Sequence, residues 1–252
     1  MPLTASGALV GSQSVETEVP LVEPIVVTID GPAGTGKSTV ARSLAKRLGL
    51  DFLDTGAMYR AATAIFLDAK LSREETGELL STVMGADIHF DWAKDPPVLL
   101  AWDDPMTTRL RERDVTDNVS WVSSLGELRH HMVRKQRIIA AQHPRLVTEG
   151  RDQGSVAFPD APVKFYLDAE AKVRASRRIE QLQIDGHEVD SDSMLERILN
   201  RDKLDSTRAD GPLICPDDAV RLDTSRLTID QVVDTLEAEV RARVPALASG
   251  NG

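Results

Sequence analysis

Short apolar runs alternate along this chain with stretches in which apolar residues recur every three or four positions. Residues 25–29 form an apolar, β-branched run followed closely by Gly31, a pattern typical of a buried parallel strand. Similar short runs predict four more strands, at the start of 51–60, at 146–147, at 163–169 and at 219–224. We therefore expect a sheet of five strands.

Helical periodicity fills the intervals between these runs. Apolar residues recur every four positions from Val40 to Leu48, so a helix is predicted from about Lys37 until Gly49 ends it. A turn at Gly56 is expected to lead into a second helix. Further helices are predicted at 121–142, directly after 163–169, at 192–208 and at 228–244. This alternation indicates an α/β fold whose parallel sheet is covered by helices on both faces, giving three layers.

Three segments depart from the alternation. Residues 70–120 show little clean periodicity, so we expect an irregular or β-containing insert. Residues 1–24 contain acidic residues but no Lys or Arg and are rich in Ser, Thr, Gly and Pro, which predicts a disordered leader rather than a signal peptide. Residues 247–252 are expected to be a disordered tail. The folded part is therefore predicted to span 25–246.

Charge and composition exclude several classes of function. The net charge of −10 and the pI near 5.0 disfavour a nonspecific nucleic-acid binder. No apolar run approaches the roughly 20 residues needed to cross a bilayer, so no membrane role is expected. Cys215 is the only cysteine, which rules out an internal disulfide and a multi-cysteine metal site. We expect a reduced, cytoplasmic setting, and any phosphate site must be built from a few placed cations.

A phosphate-binding loop follows the first strand. Residues 31–38, GPAGTGKS, fit the pattern G-x-x-x-x-G-K-[ST] in full, between a predicted strand and a predicted helix. The loop N–H groups and the start of the helix would surround phosphates, Lys37 would reach the β- and γ-phosphates, and Ser38 would bind Mg²⁺. The predicted ATP-binding residues are Gly31, Pro32, Ala33, Gly34, Thr35, Gly36, Lys37, Ser38 and Thr39. The fold is accordingly expected to be that of P-loop NTPases.

The loop motif does not indicate which reaction the bound phosphate undergoes. The N-K-x-D motif of switch GTPases is absent, and Glu149 is only a weak candidate for the acidic residue of a motor ATPase. Arginines are abundant instead, as expected if phosphoryl transfer between two anions needs cations on both sides. Arg174, Arg177 and Arg178 lie within one helical turn, where three cations would repel each other unless phosphates arrive. We expect Arg174 and Arg178, at i and i+4, to share the phosphate-facing side.

Two residues of opposite charge, Arg151 and Asp152, are adjacent in the chain directly after the strand at 146–147. They allow two interpretations. The plain interpretation is a surface ion pair worth about 0–1 kcal/mol. The alternative is a site that recognises a ligand with both a hydrogen-bond donor edge and an acceptor edge. Ligands of parallel α/β sheets bind at the carboxyl ends of the strands, where this pair would lie.

Five motifs together resemble those of the bacterial cytidylate kinase (CMP kinase) family. They are IDGPAGTGKST, LDTGAMYR, GRDQGSVAFPDA, RASRR and RDKLDSTRADGPL, in the family's order over residues 25–244. The resemblance implies transfer of phosphate from ATP to CMP or dCMP with Mg²⁺. It also implies a nucleoside monophosphate kinase domain with a core, an NMP-binding insert and a short lid. We place these at 25–69 with 121–246, at about 70–120 and at about 170–208.

The resemblance also implies roles for single residues. Cytosine presents an amino donor at N4 and acceptors at N3 and O2, which a carboxylate and an arginine can read. Asp152 and Arg129 resemble the base-reading pair, helped by Thr55, with Tyr59 stacking or packing beside the base. Arg60, Arg151 and Arg208 resemble ligands of the acceptor phosphate, Arg201 and Asp205 ligands of the ribose, and Ser120 a further ribose contact. The predicted catalytic residues are Lys37, Arg151, Arg174, Arg178 and Arg208.

The chain departs from the family pattern in two places. The insert lacks the expected Asn-Gly turn and carries Pro105 where an apolar residue is usual, and Gln153 and Ser155 replace an apolar residue and Thr. Two other functions remain open on the sequence. One is a P-loop kinase for another acceptor, such as UMP or a shikimate-like acid. The other is a non-catalytic nucleotide-binding regulator. We expect a monomer acting on small molecules.

Overall fold

A computed structural model describes residues 23–184 and 190–248 of the chain. The expected leader lies almost entirely outside the described residues, as do His187 and most of the expected tail. Within the described ranges, no helix combines the length and the apolar character needed to span a membrane.

The core is a five-stranded, wholly parallel sheet. Its strands are β1 (Ile25–Asp30), β2 (Asp51–Asp54), β6 (Arg145–Gly150), β7 (Val163–Asp168) and β8 (Val220–Asp223), in the order β2-β6-β1-β7-β8. The predicted number of strands and their parallel arrangement are confirmed. Because β6 and β7 flank β1, the loops that follow these three strands leave the sheet side by side.

Helices cover both faces of this sheet. The helices α1 (Lys37–Leu48) and α8 (Ile229–Arg243) share one apolar cluster with alternate residues of β1, such as Val27. On the other face, α2 (Thr55–Asp68) and α5 (Gly126–Gln142) form a second cluster, to which Leu146 belongs. Neighbouring residues of a strand point to opposite faces, which explains why Leu146 and Val147 enter different clusters.

The start of α2 differs from the prediction. We expected a turn at Gly56, but the helix begins at Thr55 and includes this glycine. The Asp54 carboxylate caps the helix by accepting a hydrogen bond from the Ala57 amide at 2.9 Å. This cap satisfies a backbone donor that the first turn leaves unpaired, so the chain passes from strand to helix without a separate turn.

The insert is more regular than predicted. It contains α3 (Thr76–Gly85), a small antiparallel sheet of β3 (His89–Asp91), β4 (Val98–Ala101) and β5 (Asp104–Pro105), a 3₁₀ turn at Arg109–Arg111, and most of α4 (Arg113–Val122). The β content was expected and the two helices were not. The predicted helix 121–142 is wrong as one element, because α4 ends at Val122 and α5 begins at Gly126. The Ser123 and Ser124 hydroxyls donate to carbonyls three residues earlier, a local bonding that competes with helix continuation.

Two further helices form the predicted lid region. They are α6 (Ala171–Ile184) and α7 (Ser191–Thr207), which share a small apolar cluster around Ala175, Met194 and Ile198. At the other end of the chain, a 3₁₀ turn at Pro245–Leu247 buries Leu247 in the core. The predicted boundary before 247 is therefore one residue too early.

Candidate active site

The loop of residues 31–36 joins β1 to α1, as its motif requires. Lys37, the first residue of α1, is 5% exposed, and its ammonium donates to the Pro32 carbonyl at 2.8 Å. Burial, together with the nearby charge of Arg151, lowers the pKa of Lys37 to about 7. The lysine thus lies in a site that disfavours its own charge. A phosphate anion would supply the attraction that the pocket lacks.

Oxygen atoms gather next to this loop. The Ser38 hydroxyl donates to Oε1 of Glu149 at 2.7 Å. Burial and the nearby Glu149 carboxylate raise the pKa of Asp54, so two carboxyl groups lie close together here. A cluster of hydroxyl and carboxylate oxygens has the chemistry that Mg²⁺ prefers. The Ser38 position fits its predicted role, and Glu149 joins it.

Three arginines converge on one carboxylate. Asp205 is 4% exposed and accepts a hydrogen bond from Nε of Arg151 at 2.8 Å. Its oxygens also lie 4.0 Å from Nε of Arg201 and 3.9 Å from NH1 of Arg208. Three positive charges around one negative charge leave a surplus of two. This is the composition of an anion-binding pocket.

The pKa directions agree with that surplus. Burial would raise the pKa of Asp205, but Arg151 and Arg201 hold it below its usual range. Burial lowers the pKa of Arg201 to about 10, and repulsion from Arg151 adds to this. In the described part of the chain, Nε of Arg201 and NH2 of Arg208 are buried without a hydrogen-bond partner. Unpartnered buried donors are rare, and these two are placed to bind an anion.

The predicted base-reading pair exists as a buried ion pair. NH2 of Arg129 donates to Oδ2 of Asp152, and NH1 of Arg129 donates to the Ser123 carbonyl at 2.9 Å. The Arg129 guanidinium lies 5.3 Å from the centre of the Tyr59 ring, a distance typical of a cation–π contact. Burial raises the pKa of Tyr59 to about 12. The side chains of Arg129 and Asp152 are 3% and 4% exposed, so the plain interpretation as a surface pair fails for Asp152.

A loop from α7 covers this pair. Gly211 has a φ of 57°, and a side chain there would overlap Oδ2 of Asp152 and NH2 of Arg129. Its carbonyl accepts a hydrogen bond from Nε of Arg208 at 2.6 Å. The backbone after α7 can therefore lie against the pair only because this residue is glycine.

The remaining acceptor-side residues surround this region. Thr55 is buried and donates its hydroxyl to the Glu149 carbonyl at 2.7 Å. NH1 of Arg60 donates to the Leu110 carbonyl at 3.2 Å and to the Thr116 hydroxyl at 3.1 Å, which ties it to the insert. Ser120 lies half-buried on α4. The roles predicted for these three residues stay predictions.

The lid arginines are partnered, contrary to one expectation. Arg174 is buried, and NH1 and NH2 of its guanidinium pair with both oxygens of Asp202. Nε of Arg174 donates to the Ala169 carbonyl at 2.8 Å, and NH1 also donates to the Ala33 carbonyl at 3.1 Å. The idea that this cluster has no counter-charge before phosphates arrive is therefore wrong for Arg174.

The neighbouring arginines point elsewhere. NH2 of Arg177 donates to the Thr224 carbonyl at 2.7 Å, and NH1 of Arg178 donates to Gln181 at 2.7 Å. The charge of Arg178 acts on Arg60 and Arg201, so it lies toward the acceptor side. Arg174 instead contacts the phosphate-binding loop through Ala33. The prediction that these two residues share the phosphate-facing side stays a prediction.

Sequence reasoning gave no role to two residues of this site, Asp30 and Asp202, although Asp30 directly precedes the glycine motif. Glu149 was only a weak candidate for the acidic residue of a motor ATPase. Asp202 directly follows Arg201 in the chain, and only the packing of α6 against α7 brings it to Arg174.

Comparison with known proteins bears on this arrangement. The sequence model of the family described as "Cytidylate kinase" matches residues 27–242. The chain belongs to the cytidylate kinase family. It is 45% identical to the cytidylate kinase of Corynebacterium glutamicum over 84% of this chain and 92% of that protein. It is 41% identical to the cytidylate kinase of Azotobacter vinelandii over 88% of this chain and 97% of that protein.

Membership of the family confirms the resemblance drawn from the five motifs. A solved structure of a gluconokinase from Sinorhizobium meliloti 1021 is 14% identical, with a TM-score of 0.45, over 89% of this chain and 96% of that one. This distant likeness has no bearing on the acceptor. The identity of the acceptor must be argued from the arginines and carboxylates of this chain.

Proposed function

We propose that this member of the cytidylate kinase family transfers the γ-phosphoryl group of ATP to CMP or dCMP, giving ADP and CDP or dCDP. The observation that carries the proposal is the surplus of buried positive charge around Asp205 beside the Arg129–Asp152 pair. A nucleoside monophosphate has a phosphate for the first feature and a base for the second. The name cytidylate kinase, borne by the curated relatives, supports cytosine as that base.

The acceptor phosphate would bind among the arginines. Arg151, Arg201 and Arg208 carry three positive charges against the single charge of Asp205, and two of their donors are unpartnered. A phosphate dianion would balance the surplus of two. Asp205 would then orient the arginines and remain close enough to accept from a ribose hydroxyl, as the family motif implies.

The base would be recognised by hydrogen-bonding edges. Asp152 accepts from Arg129 at Oδ2, and we assign its Oδ1 to the N4 amino group of cytosine. Arg129 would donate to N3 and O2, with the Tyr59 ring packed below its guanidinium. Uracil would place its O4 acceptor against the carboxylate, so repulsion would disfavour UMP.

The transfer itself needs positioning more than proton transfer. The attacking oxygen belongs to a phosphate that is already anionic, so no general base is required. It bonds to the γ-phosphorus of ATP as the bond from that phosphorus to the β-phosphate oxygen breaks. Lys37 and the amides of residues 31–36 would bind the β- and γ-phosphates, while Arg151 and Arg178 neutralise charge between the two substrates.

The oxygen cluster near Ser38 fits Mg²⁺. Its hydroxyl and the Glu149 carboxylate are hydrogen-bonded, and burial together with this nearby carboxylate raises the pKa of Asp54. Ser38, with Glu149 and Asp54 around it, would hold the ion. An ion bound there would offset negative charge on the phosphates of ATP.

A coupled assay of ADP formation tests the proposal. ATP and Mg²⁺ are supplied with CMP, dCMP, UMP or AMP in turn. We expect kcat/KM to be highest for CMP or dCMP. A preference for UMP or AMP would point to another acceptor, and ATP binding without turnover on any acceptor would point to a regulator.

A further inference from the structure

Asp30 occupies a junction between the two halves of the site. It is the last residue of β1, one position before the phosphate-binding loop, and it is 1% exposed. Its Oδ1 accepts a hydrogen bond from the Gln153 amide at 2.9 Å, and its Oδ2 accepts one from the Gly154 amide at 2.7 Å. Both oxygens of one carboxylate thus hold successive amides of a different loop.

That loop carries the acceptor-side pair. Gln153 and Gly154 directly follow Arg151 and Asp152 in the chain. Two further features hold this loop against the sheet. On β6, the Thr148 hydroxyl donates to Oε1 of Gln153 at 2.9 Å. A side chain at Gly154 would place its Cβ 2.9 Å from the Thr28 hydroxyl, so the close approach requires glycine.

We propose that Asp30 is a positioning residue that fixes the acceptor loop relative to the phosphate-binding loop. The proposal rests on the function proposed above and adds a residue to it. Both carboxylate oxygens of Asp30 are engaged by backbone amides rather than turned toward a ligand. Asp30 acts through the backbone of residues 153–154, which sets where Arg151 and Asp152 stand with respect to Lys37.

Asparagine at this position separates shape from hydrogen bonding. Asp30→Asn keeps the size of the side chain but turns one acceptor into an amide donor. One of the two backbone amides would then face a donor, and the loop would have to move away from β1. A displacement of about 1 Å at such a site can lower the rate by about 10²-fold.

The test is a kinetic comparison of wild type, Asp30→Asn and Val27→Ala. Val27 lies on the same strand, is fully buried, and packs on the opposite face against α1 and α8. It therefore controls for loss of stability within β1. We expect Asp30→Asn to lower kcat/KM for CMP by about 10- to 100-fold. The ratio of kcat/KM for CMP to kcat/KM for UMP should become smaller. The KM for ATP should change by less than about twofold.

A second readout does not depend on turnover. Amide hydrogen exchange at Gln153 and Gly154 should be faster in Asp30→Asn than in Val27→Ala, provided that the two variants have the same melting temperature. Unchanged exchange, unchanged kinetics, or equal rises in KM for both substrates would overturn the proposal. So would a Val27→Ala variant that reproduces the loss for CMP. A wild-type enzyme that fails to phosphorylate CMP would contradict the proposed function instead, while the exchange comparison still decides the role of Asp30.

Discussion

Arg174 and Asp202 form a two-point ion pair, with NH1 to Oδ1 at 3.0 Å and NH2 to Oδ2 at 2.6 Å. The pair joins α6 and α7. Because Arg174 also donates to the Ala33 carbonyl, it links both helices to the phosphate-binding loop. The two helices are therefore attached to that loop through a defined contact.

Asp202→Asn should destabilise the protein. The change leaves the buried Arg174 guanidinium without its charged partner, which we expect to lower the free energy of unfolding by about 2 kcal/mol. Urea unfolding measures it. The matched control is Glu239→Gln, which breaks an exposed pair with Arg243 and should cost at most about 0.5 kcal/mol. Equal effects of the two changes would show that the Arg174–Asp202 pair contributes no more than a surface pair.

Lys37→Ala should abolish phosphoryl transfer and leave the fold intact. This lysine is buried, and its surroundings disfavour its charge. Its removal should therefore cost little stability. The measurements are ADP formation with CMP and the circular dichroism spectrum. Turnover above a few per cent of wild type in a folded sample would contradict the role of Lys37.

Asp152→Asn should weaken the discrimination between CMP and UMP. An amide can donate to O4 of uracil, whereas the carboxylate repels it. A base-edge contact is worth about 1–3 kcal/mol, so the ratio of kcat/KM values should narrow by roughly 5- to 150-fold. The KM for ATP should hardly change, since Asp152 lies on the acceptor side. An unchanged ratio would mean that Asp152 does not read the base.

Asp30 should give stability a measurable pH dependence. Burial raises the pKa of Asp30 to about 7, against an ordinary value of 3.8. Between these two values the folded protein holds more protons than the unfolded chain, so this contribution falls as pH rises from about 4 to 7. Urea unfolding of wild type and Asp30→Asn at several pH values isolates it. The variant's free energy of unfolding should improve relative to wild type as pH rises, and a constant difference would rule this contribution out.

The hairpin of the insert contains strained backbone. Trp102 and Asp103 join β4 to β5 with φ of 50° and 65°, and Trp102 is 55% exposed. Two-residue hairpins of this kind favour Asn-Gly. Replacing the pair, Trp102→Asn with Asp103→Gly, should raise the free energy of unfolding by about 1 kcal/mol. Thermal unfolding measures this, and a lower melting temperature would show that Trp102 contributes packing that exceeds its strain.

The sequence predicted best the features with a local signal. Three such features match the structure: the run at 25–29 is β1, the glycine motif is the loop, and the periodicity up to Leu48 is α1. In each case, neighbouring residues alone determine the local structure. The break between α4 and α5 was missed because two serine hydroxyls cause it rather than a Gly or Pro. The partner of Arg174 was missed because Asp202 lies 28 residues away and meets it only when α6 packs on α7.

The Asn-Gly turn is a different case. Its absence from the sequence was noticed, yet the structure keeps the two-residue turn with Trp102 and Asp103. Pairing of Ala101 with Asp104 on the neighbouring strand holds that geometry. Tertiary and cross-strand contacts thus override a local preference that sequence reasoning weighs alone.

The order of strands determines which segments of this protein can change in sequence without altering the spacing of its two binding loops. The phosphate-binding loop follows β1 and the acceptor loop follows β6, and these strands are neighbours paired from Ile25 with Arg145 to Asp30 with Gly150. Neighbouring strands lie about 4.8 Å apart, a spacing set by backbone hydrogen bonds and indifferent to side chains. The insert instead follows α2, beyond the edge strand β2. Mutations in the insert can therefore accumulate without changing the separation between the phosphate-binding loop and the acceptor loop.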